Sequence, residues 1–311
     1  MKKEILILLC LVAALLLGGC QFPSGKPADS TPLPPDTTPS TEATTVPTEP
    51  PTEPSVPPTT ELRVGWYEDG DDRYYYDESG VMLTGWQAID DTLYYFREDG
   101  TMSRGKVTID GVDHFFTSTG APILLVNPWH SVPAGYTPDL VELSTSISTS
   151  GQKVDRSSYD ALLQMIADCN KECPKVCVVS SHRTHAYQEG LFQKKVNFYL
   201  NQGYGQEEAV QLAGTVVAVP GTSEHQLGLA VDIIDTRSWS LNEGQADLPA
   251  QKWLMENSWK YGFILRYPKD TTDETGIIYE PWHYRYVGKE VARELHESGM
   301  TLEAYIASLT K

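Results

Sequence analysis

Between residues 65 and 120 the chain repeats itself every twenty residues. Glycine recurs at Gly65, Gly85 and Gly105 and again at Gly80, Gly100 and Gly120, and an aromatic recurs at Tyr75, Tyr95 and Phe115. Two short strands and a turn fill such a unit, which cannot bury an apolar face alone, so the copies must stack into a small solenoid. Each aromatic run (RYYYD, LYYFR, HFFTS) is followed by a glycine turn and a second strand that opens the next copy, which predicts a β-hairpin per repeat. The recurrence ends at Gly120, so residues 121–311 must fold on another principle.

The repeats 63–120 carry a GW and YYF pattern similar to the cell-wall-binding repeats of choline-binding and glucan-binding proteins. In those proteins aromatic side chains between neighbouring hairpins grip choline or sugar, and cation–π attraction gives such a cage its affinity for a quaternary amine. The resemblance implies a wall polymer as partner, held by Trp66, Tyr75, Trp86 and Tyr95. The competing reading is that these aromatics are simply core. The third copy has Lys106 where the first two have tryptophan.

The second half is arranged around VPGTSEHQLGLAVDII, residues 219–234, which sets His225 and Asp232 on either side of a Gly-Leu-Ala turn into an apolar strand. About fifty residues on, Glu280-Pro281-Trp282-His283 supplies a second imidazole. Two imidazoles and a carboxylate make a three-ligand zinc set with a fourth position left for water, the catalytic arrangement. Glu280, three residues before His283, can reach that water without being a ligand, which makes it the natural general base; orienting a ligand is its alternative role. Trp282 is expected to wall the pocket. SEHQLGLAVD and EPWHYRYVG resemble the paired motifs of VanY-type D-alanyl-D-alanine carboxypeptidases, zinc peptidases of bacterial cell walls. The similarity extends from about Ile123 to Tyr305 and takes in SSHRTHAYQ and YGFILRYP.

That resemblance implies an α+β fold shared with hedgehog signalling domains, built on an antiparallel sheet. It also implies Glu280 and Arg183 as catalytic residues, and substrate contacts by Arg183, Gln188 and Ser223. A planar guanidinium suits Arg183 to a terminal carboxylate. Relatives often have Ser-Gly-Tyr-Arg where this chain has Ser180-Ser181-His182-Arg183, and the ligand set is complete without His182 or His185. The pattern of apolar residues predicts helices near 157–169, from about 188, over 206–217, over 251–261 and from 289. It predicts strands at 176–180, near 229–234 and around EPWHYRYV.

Residues 1–20, MKKEILILLCLVAALLLGGC, read as an export leader, because the apolar run is short for a membrane span. Leu17-Gly18-Gly19-Cys20 resembles a lipobox, which implies lipidation of Cys20. Residues 21–62 are rich in Pro, Thr, Ser and Glu, almost without apolar side chains, and form an extended stalk. A net charge of −18, from 42 acidic and 24 basic residues, argues against nucleic acid or an anionic membrane surface as main partner. Membrane contact is then through the lipid anchor alone. Cys169, Cys173 and Cys177 suit one disulfide with a thiol left over, or three thiols. The reading is a membrane-anchored lipoprotein facing the wall, a zinc carboxypeptidase that removes C-terminal D-alanine from peptidoglycan stem peptides. The alternatives are an L,D-carboxypeptidase acting on tetrapeptide stems, an inactive zinc-bearing module, and a purely structural wall-attachment protein.

Overall fold

The computed structural model describes residues 62–90 and 92–310. The expected leader, Cys20 and the stalk up to residue 61 lie outside the described residues. No described helix is long and apolar enough to cross a membrane.

Three hairpins follow the sequence period. β1 (Gly65–Asp69) pairs antiparallel with β2 (Asp72–Tyr76), β3 (Gly85–Ile89) with β4 (Thr92–Phe96), and β5 (Gly105–Ile109) with β6 (Val112–Phe116). Gly65 opposite Tyr76 becomes Gly85 opposite Phe96 and Gly105 opposite Phe116, so the register advances with the repeat. One expectation is corrected: each hairpin closes inside a copy, on two-residue loops at 70–71 and 110–111 and between Ile89 and Thr92, and not at Gly80, Gly100 or Gly120. Such loops demand left-handed backbone, which glycine and aspartate tolerate; φ is 60° at Gly70, 48° at Asp90, 51° at Asp110 and 78° at Gly111. Gly100 and Gly120 do another job. A Cβ on either would run into the side chain of Met82 or Met102, so these glycines let consecutive copies close on one another.

The third hairpin is also the junction with the second half. β7 (Pro122–Ile123) pairs with β6, and Phe115, Ile123 and Leu125 share one apolar cluster with Val291, Leu295, Leu302, Tyr305 and Ile306 of the C-terminal helices. The Lys106 N–H donates to Thr310 Oγ1 at 3.0 Å, and the Ser118 hydroxyl donates to Glu294 at 2.8 Å.

In the second half β8 (Leu140–Glu142) pairs with β9 (Lys153–Asp155), which leads into α1 (Arg156–Glu172), capped by Asp155 accepting from the Ser157 N–H. β10 (Val176–Ser180), α2 (His185–Leu200), α3 (Gln206–Gly214), β11 (Ala230–Asp235), α4 (Pro249–Asn257), β12 (Phe263–Leu265), the single turn α5 (Thr272–Thr275), β13 (His283–Tyr286), α6 (Lys289–Ser298) and α7 (Leu302–Leu309) follow. The four longer-range strands form one antiparallel sheet in the order β10-β11-β13-β12. This is the expected α+β fold.

Alternation along the two inner strands divides the sheet's work. Val231, Ile233 and Tyr284 turn to one face and pack with Leu162, Met165, Ile166 and Cys169 of α1 and Leu254 of α4. Asp232, His283 and Arg285 turn to the other. The Tyr284 hydroxyl donates to Gln251 Oε1 at 3.0 Å, and Gln251 in turn donates to the Ile233 carbonyl, so the core face carries no stranded polar group at this point. Cys169, Cys173 and Cys177 are free thiols, the second of the two arrangements read from the sequence, and the disulfide of the first is not formed. The Cys169 and Cys173 sulfurs face the Ala250 and Pro249 carbonyls at 4.0 and 3.7 Å, whereas Cys177 lies against the Val178 carbonyl. Burial pushes the Cys169 thiol up to about 12.

Candidate metal centre and active site

Register brings the centre together. Asp232 on β11 stands directly opposite His283 on β13, and cross-strand partners on one face have Cβ atoms about 5 Å apart. His225 arrives from outside the sheet, on the short 3-10 turn Glu224–Leu227. That turn is closed by Gly228 at φ 74°, where a Cβ would lie 3.1 Å from the Asp155 nitrogen; the tight passage delivers the chain into β11.

All three side chains are buried, and their ligand atoms lie within 4.8 Å of one another. Asp232 Oδ1 sits 3.3 Å from His225 Nε2 and 3.2 Å from His283 Nδ1, yet it is buried without a hydrogen-bond partner. Ligand atoms about 2.0–2.2 Å from a tetrahedral zinc are about 3.4 Å apart, so this donor set fits that ion. Electrostatics tell the same story. Burial opposes charge on His283, but Asp232 and Glu224 overcome it and raise its pKa to about 9; burial lowers that of His225 to about 4. A divalent ion at this point would take the place of the proton that Asp232 and Glu224 favour on His283.

Each imidazole is oriented through its other nitrogen. His225 Nδ1 lies 2.8 Å from the Ser181 carbonyl, which accepts its proton and leaves Nε2 free to ligate. His283 Nε2 faces Glu224 Oε2 at 3.5 Å without a hydrogen bond, and Nδ1 is turned to the Asp232 side, 3.2 Å from Oδ1. Glu224 is fully buried between two guanidiniums, with Oε1 accepting from Arg266 Nε and Arg285 Nη1 at 2.8 Å each. Burial works against its charge, and the two arginines outweigh burial, holding Glu224 well below the usual carboxylate range. Arg266 also grips Glu303 of α7 at 2.6 and 2.9 Å.

Glu280 sits at the rim of the set, its Oε2 3.6 Å from His283 Nδ1, with no hydrogen bond to a ligand. Burial pushes its carboxyl up to about 8. Arg183 leaves the end of β10, anchored by Ser180 Oγ, which accepts from Nε and Nη2 at 3.0 and 2.8 Å. Its Nη2 also donates to Asp232 Oδ2 at 2.8 Å, so one carboxylate shows Oδ1 to the metal point and Oδ2 to Arg183. Gln188 is fully buried behind Arg183; its Oε1 accepts from Nη1 at 3.4 Å and its Nε2 donates to the Ala218 carbonyl at 2.7 Å. Ser223 is buried at the start of the turn bearing His225, and Trp282 is buried next to His283. His182 and His185 stay out of the cluster. Sequence reasoning passed over Glu224, Arg266 and Glu303 and assigned no part to Arg285. The available signal was a charge at the free position of Ser-Glu-His and an arginine ending the apolar run Phe263–Leu265.

In the repeats Trp66 lies edge-on to Tyr75 and Tyr94 at 5.2 and 5.0 Å, and Trp86 edge-on to Tyr95 and His114 at 5.1 and 5.3 Å. Tyr94 and His114 come from the following hairpin in each case.

An antiparallel sheet presenting two imidazoles and a carboxylate, with a free glutamate beside them, defines a metallopeptidase type of centre. The model of the VanY family, D-alanyl-D-alanine carboxypeptidase, matches residues 151–289, and a choline-binding repeat model matches residues 64–106. A D-alanyl-D-alanine carboxypeptidase of Enterococcus faecalis is 40% identical over 185 residues, 59% of this chain and 65% of the relative, a little under two thirds of its length. The putative carboxypeptidase YodJ of Bacillus subtilis is 36% identical over 61% of this chain and 68% of its own. Among solved structures, a VanY D,D-pentapeptidase from a VanB-type resistance cassette in complex with Zn(II) superposes with a TM-score of 0.53 at 40% identity, over 59% of this chain and 97% of that one. The LdcB LD-carboxypeptidase gives 0.54 at 34% identity, over 67% and 95%. The chain belongs to the VanY family of D-alanyl-D-alanine carboxypeptidases.

Proposed function

We propose that this protein is an exported zinc carboxypeptidase that removes the C-terminal D-alanine from peptidoglycan stem peptides while its repeats hold it to the wall. The observation that carries the reading is the convergence of His225 Nε2, Asp232 Oδ1 and His283 Nδ1 with the unbonded Glu280 carboxylate 3.6 Å from one of them. Zinc held by these three residues would lower the pKa of water and polarise the scissile carbonyl. Glu280 takes the proton from the attacking water and returns it to the departing amine, which its position beside the ligand set without a hydrogen bond to a ligand allows. Arg183, partly exposed and backed by Ser180 and Gln188, pairs with the free carboxylate of the substrate and keeps Asp232 turned toward the metal. Ser223 and Trp282 border the pocket. The aromatic face of the repeats holds wall polymer, with Trp86 and Tyr95 as its principal contacts, in line with the choline-binding repeat match. The lipobox-like Leu17-Gly18-Gly19-Cys20 supports anchoring through a lipid on Cys20.

A second reading, trimming of tetrapeptide stems by L,D cleavage, is favoured by the likeness to LdcB, described as an LD-carboxypeptidase. Incubation of the protein with defined penta- and tetrapeptide stems, followed by mass spectrometry of the released residue, separates the two. Loss of D-alanine from the pentapeptide alone is expected. Cleavage of the tetrapeptide alone overturns the first reading, and cleavage of neither overturns both.

A further inference from the structure

The repeat-related positions of the two aromatic sites differ in a way that the twenty-residue period exposes. Strand alternation puts Trp66, Glu68, Arg73 and Tyr75 on one face of the first hairpin, since Trp66 pairs with Tyr75 and Glu68 with Arg73. On the second hairpin the same positions are Trp86, Ala88, Leu93 and Tyr95. The first hairpin therefore carries an ion pair where the second is apolar. Arg73 Nε lies 3.2 Å from Glu68 Oε1, and its guanidinium carbon stands 4.4 Å above the Trp66 ring. Leu93, by contrast, is buried, and among the described residues no lysine or arginine lies over Trp86.

We propose that the two sites are unequal: the one walled by Trp86, Tyr95 and His114 takes a quaternary ammonium group of the choline type, whereas the one at Trp66 is filled by the chain's own Arg73. The proposal rests on the wall-binding reading of the repeats. An aromatic face offers one region of negative potential. A cation arriving at Trp66 must displace a guanidinium already stacked there and held by Glu68, or sit beside a like charge. At Trp86 it meets a half-buried ring with no guanidinium or ammonium over it among the described residues, with Tyr95 and His114 edge-on at 5.1 and 5.3 Å and Phe116 tilted at 5.7 Å. Burial holds His114 below the usual imidazole range, which favours a neutral wall over a repelling charge, and Asp110 lies nearby. The third hairpin offers no further site. Its tryptophan position is Lys106, paired with Asp113 at 2.6 Å, and Phe115 on the same face packs edge-on against His130 at 4.9 Å, so the peptidase half closes that end of the stack.

Calorimetric titration of choline chloride into the full chain tests this, with indole N–H signals recorded by NMR on the same samples. The wild type is expected to saturate at one choline per chain, with the Trp86 signal moving and the Trp66 signal still. Trp86→Ala should weaken binding by about tenfold or more, as loss of a desolvated cation–π contact does. Arg73→Leu, which copies the second hairpin at this position, should open a second site and bring the Trp66 signal into motion. Because Arg73→Leu leaves both tryptophans in place, it tests the plug without removing core aromatics, and a thermal melt confirms folding. Two equal sites in the wild type, or a stoichiometry of one in folded Arg73→Leu, would overturn the proposal. So would a wild type that ignores choline; if that protein still sediments with purified walls, only the cation assignment fails, and if it does not sediment, the wall-binding reading fails as well.

Discussion

The two halves of this chain place their chemistry by opposite means. In the repeats one local unit is copied, and the copies are told apart by departures from it: Arg73 against Leu93, His114 against Tyr94, Lys106 against Trp66 and Trp86. In the peptidase half nothing recurs, and function is written in charges where the core should be apolar, namely Asp232, His225, His283, Glu224, Arg266 and Arg285, all buried. A stack of hairpins interacts only with its neighbours, so damage there should stay local. A convergent centre joins distant segments, and damage should spread.

The largest effect separating the halves is expected at Glu224. Removing one partner of a buried ion pair costs about 3–5 kcal/mol, because the other charges stay buried and unmatched. Glu224→Ala leaves Arg285 with carbonyl partners only and Arg266 with Glu303 alone, so the peptidase half should be strongly destabilised, measured by denaturant unfolding followed at far-UV and tryptophan wavelengths. A change below about 1 kcal/mol would mean that the network relaxes freely and that the contrast between halves is overstated.

A middle-sized effect is expected at the junction. Gly65 and Gly105 hold the same repeat position with φ 82° and 65°, but a Cβ has open space at Gly65 and meets Thr310 N at 2.5 Å and Leu309 C at 2.6 Å at Gly105. Gly65→Ala should cost about 1–2 kcal/mol, the left-handed strain alone. Gly105→Ala should cost more and loosen α7, visible as faster amide exchange over Leu302–Leu309. Equal effects of the two substitutions would show that the third hairpin does not lean on the C-terminal helix. The smallest effect belongs to the surface: Arg293→Ala removes an exposed i, i+4 pair with Glu297 and should change stability by less than about 0.5 kcal/mol.

Local signals made most of the fold legible. The apolar strand Val176–Ser180 has the bounds that its composition suggests, and the helix read near 251–261 begins at Pro249, a residue suited to a first helical turn, and tightens to a 3-10 turn over Ser258–Tyr261 before Gly262 at φ 85°. The helical region from 289 is two helices, because Gly299 at φ 67° ends the first. The helix read over 206–217 stops at Gly214. Hairpin phasing was misread, since either of two glycine-bearing segments in each copy could have been the turn and only strand pairing decides between them. His225, Asp232, Glu280 and His283 stood out in the sequence because metal chemistry limits which residue types can serve. Glu224, Arg266, Arg285 and Glu303 did not, because their partners lie 42, 61 and 37 positions away and no local pattern links them. The free state of Cys169, Cys173 and Cys177 was equally hidden, because spacing alone says nothing of where each sulfur points.

The central claim is that the convergent half is a working zinc peptidase with Glu280 as its proton carrier. Glu280→Gln keeps the shape and leaves His225, Asp232 and His283 in place, so metal analysis should still find zinc at about the wild-type level and the thermal melt should be preserved. Release of D-alanine from a pentapeptide stem, followed in the same preparation, should then fall by roughly a hundredfold or more, as loss of acid–base catalysis does. A zinc-loaded, folded Glu280→Gln protein that releases D-alanine at near the wild-type rate would contradict the account.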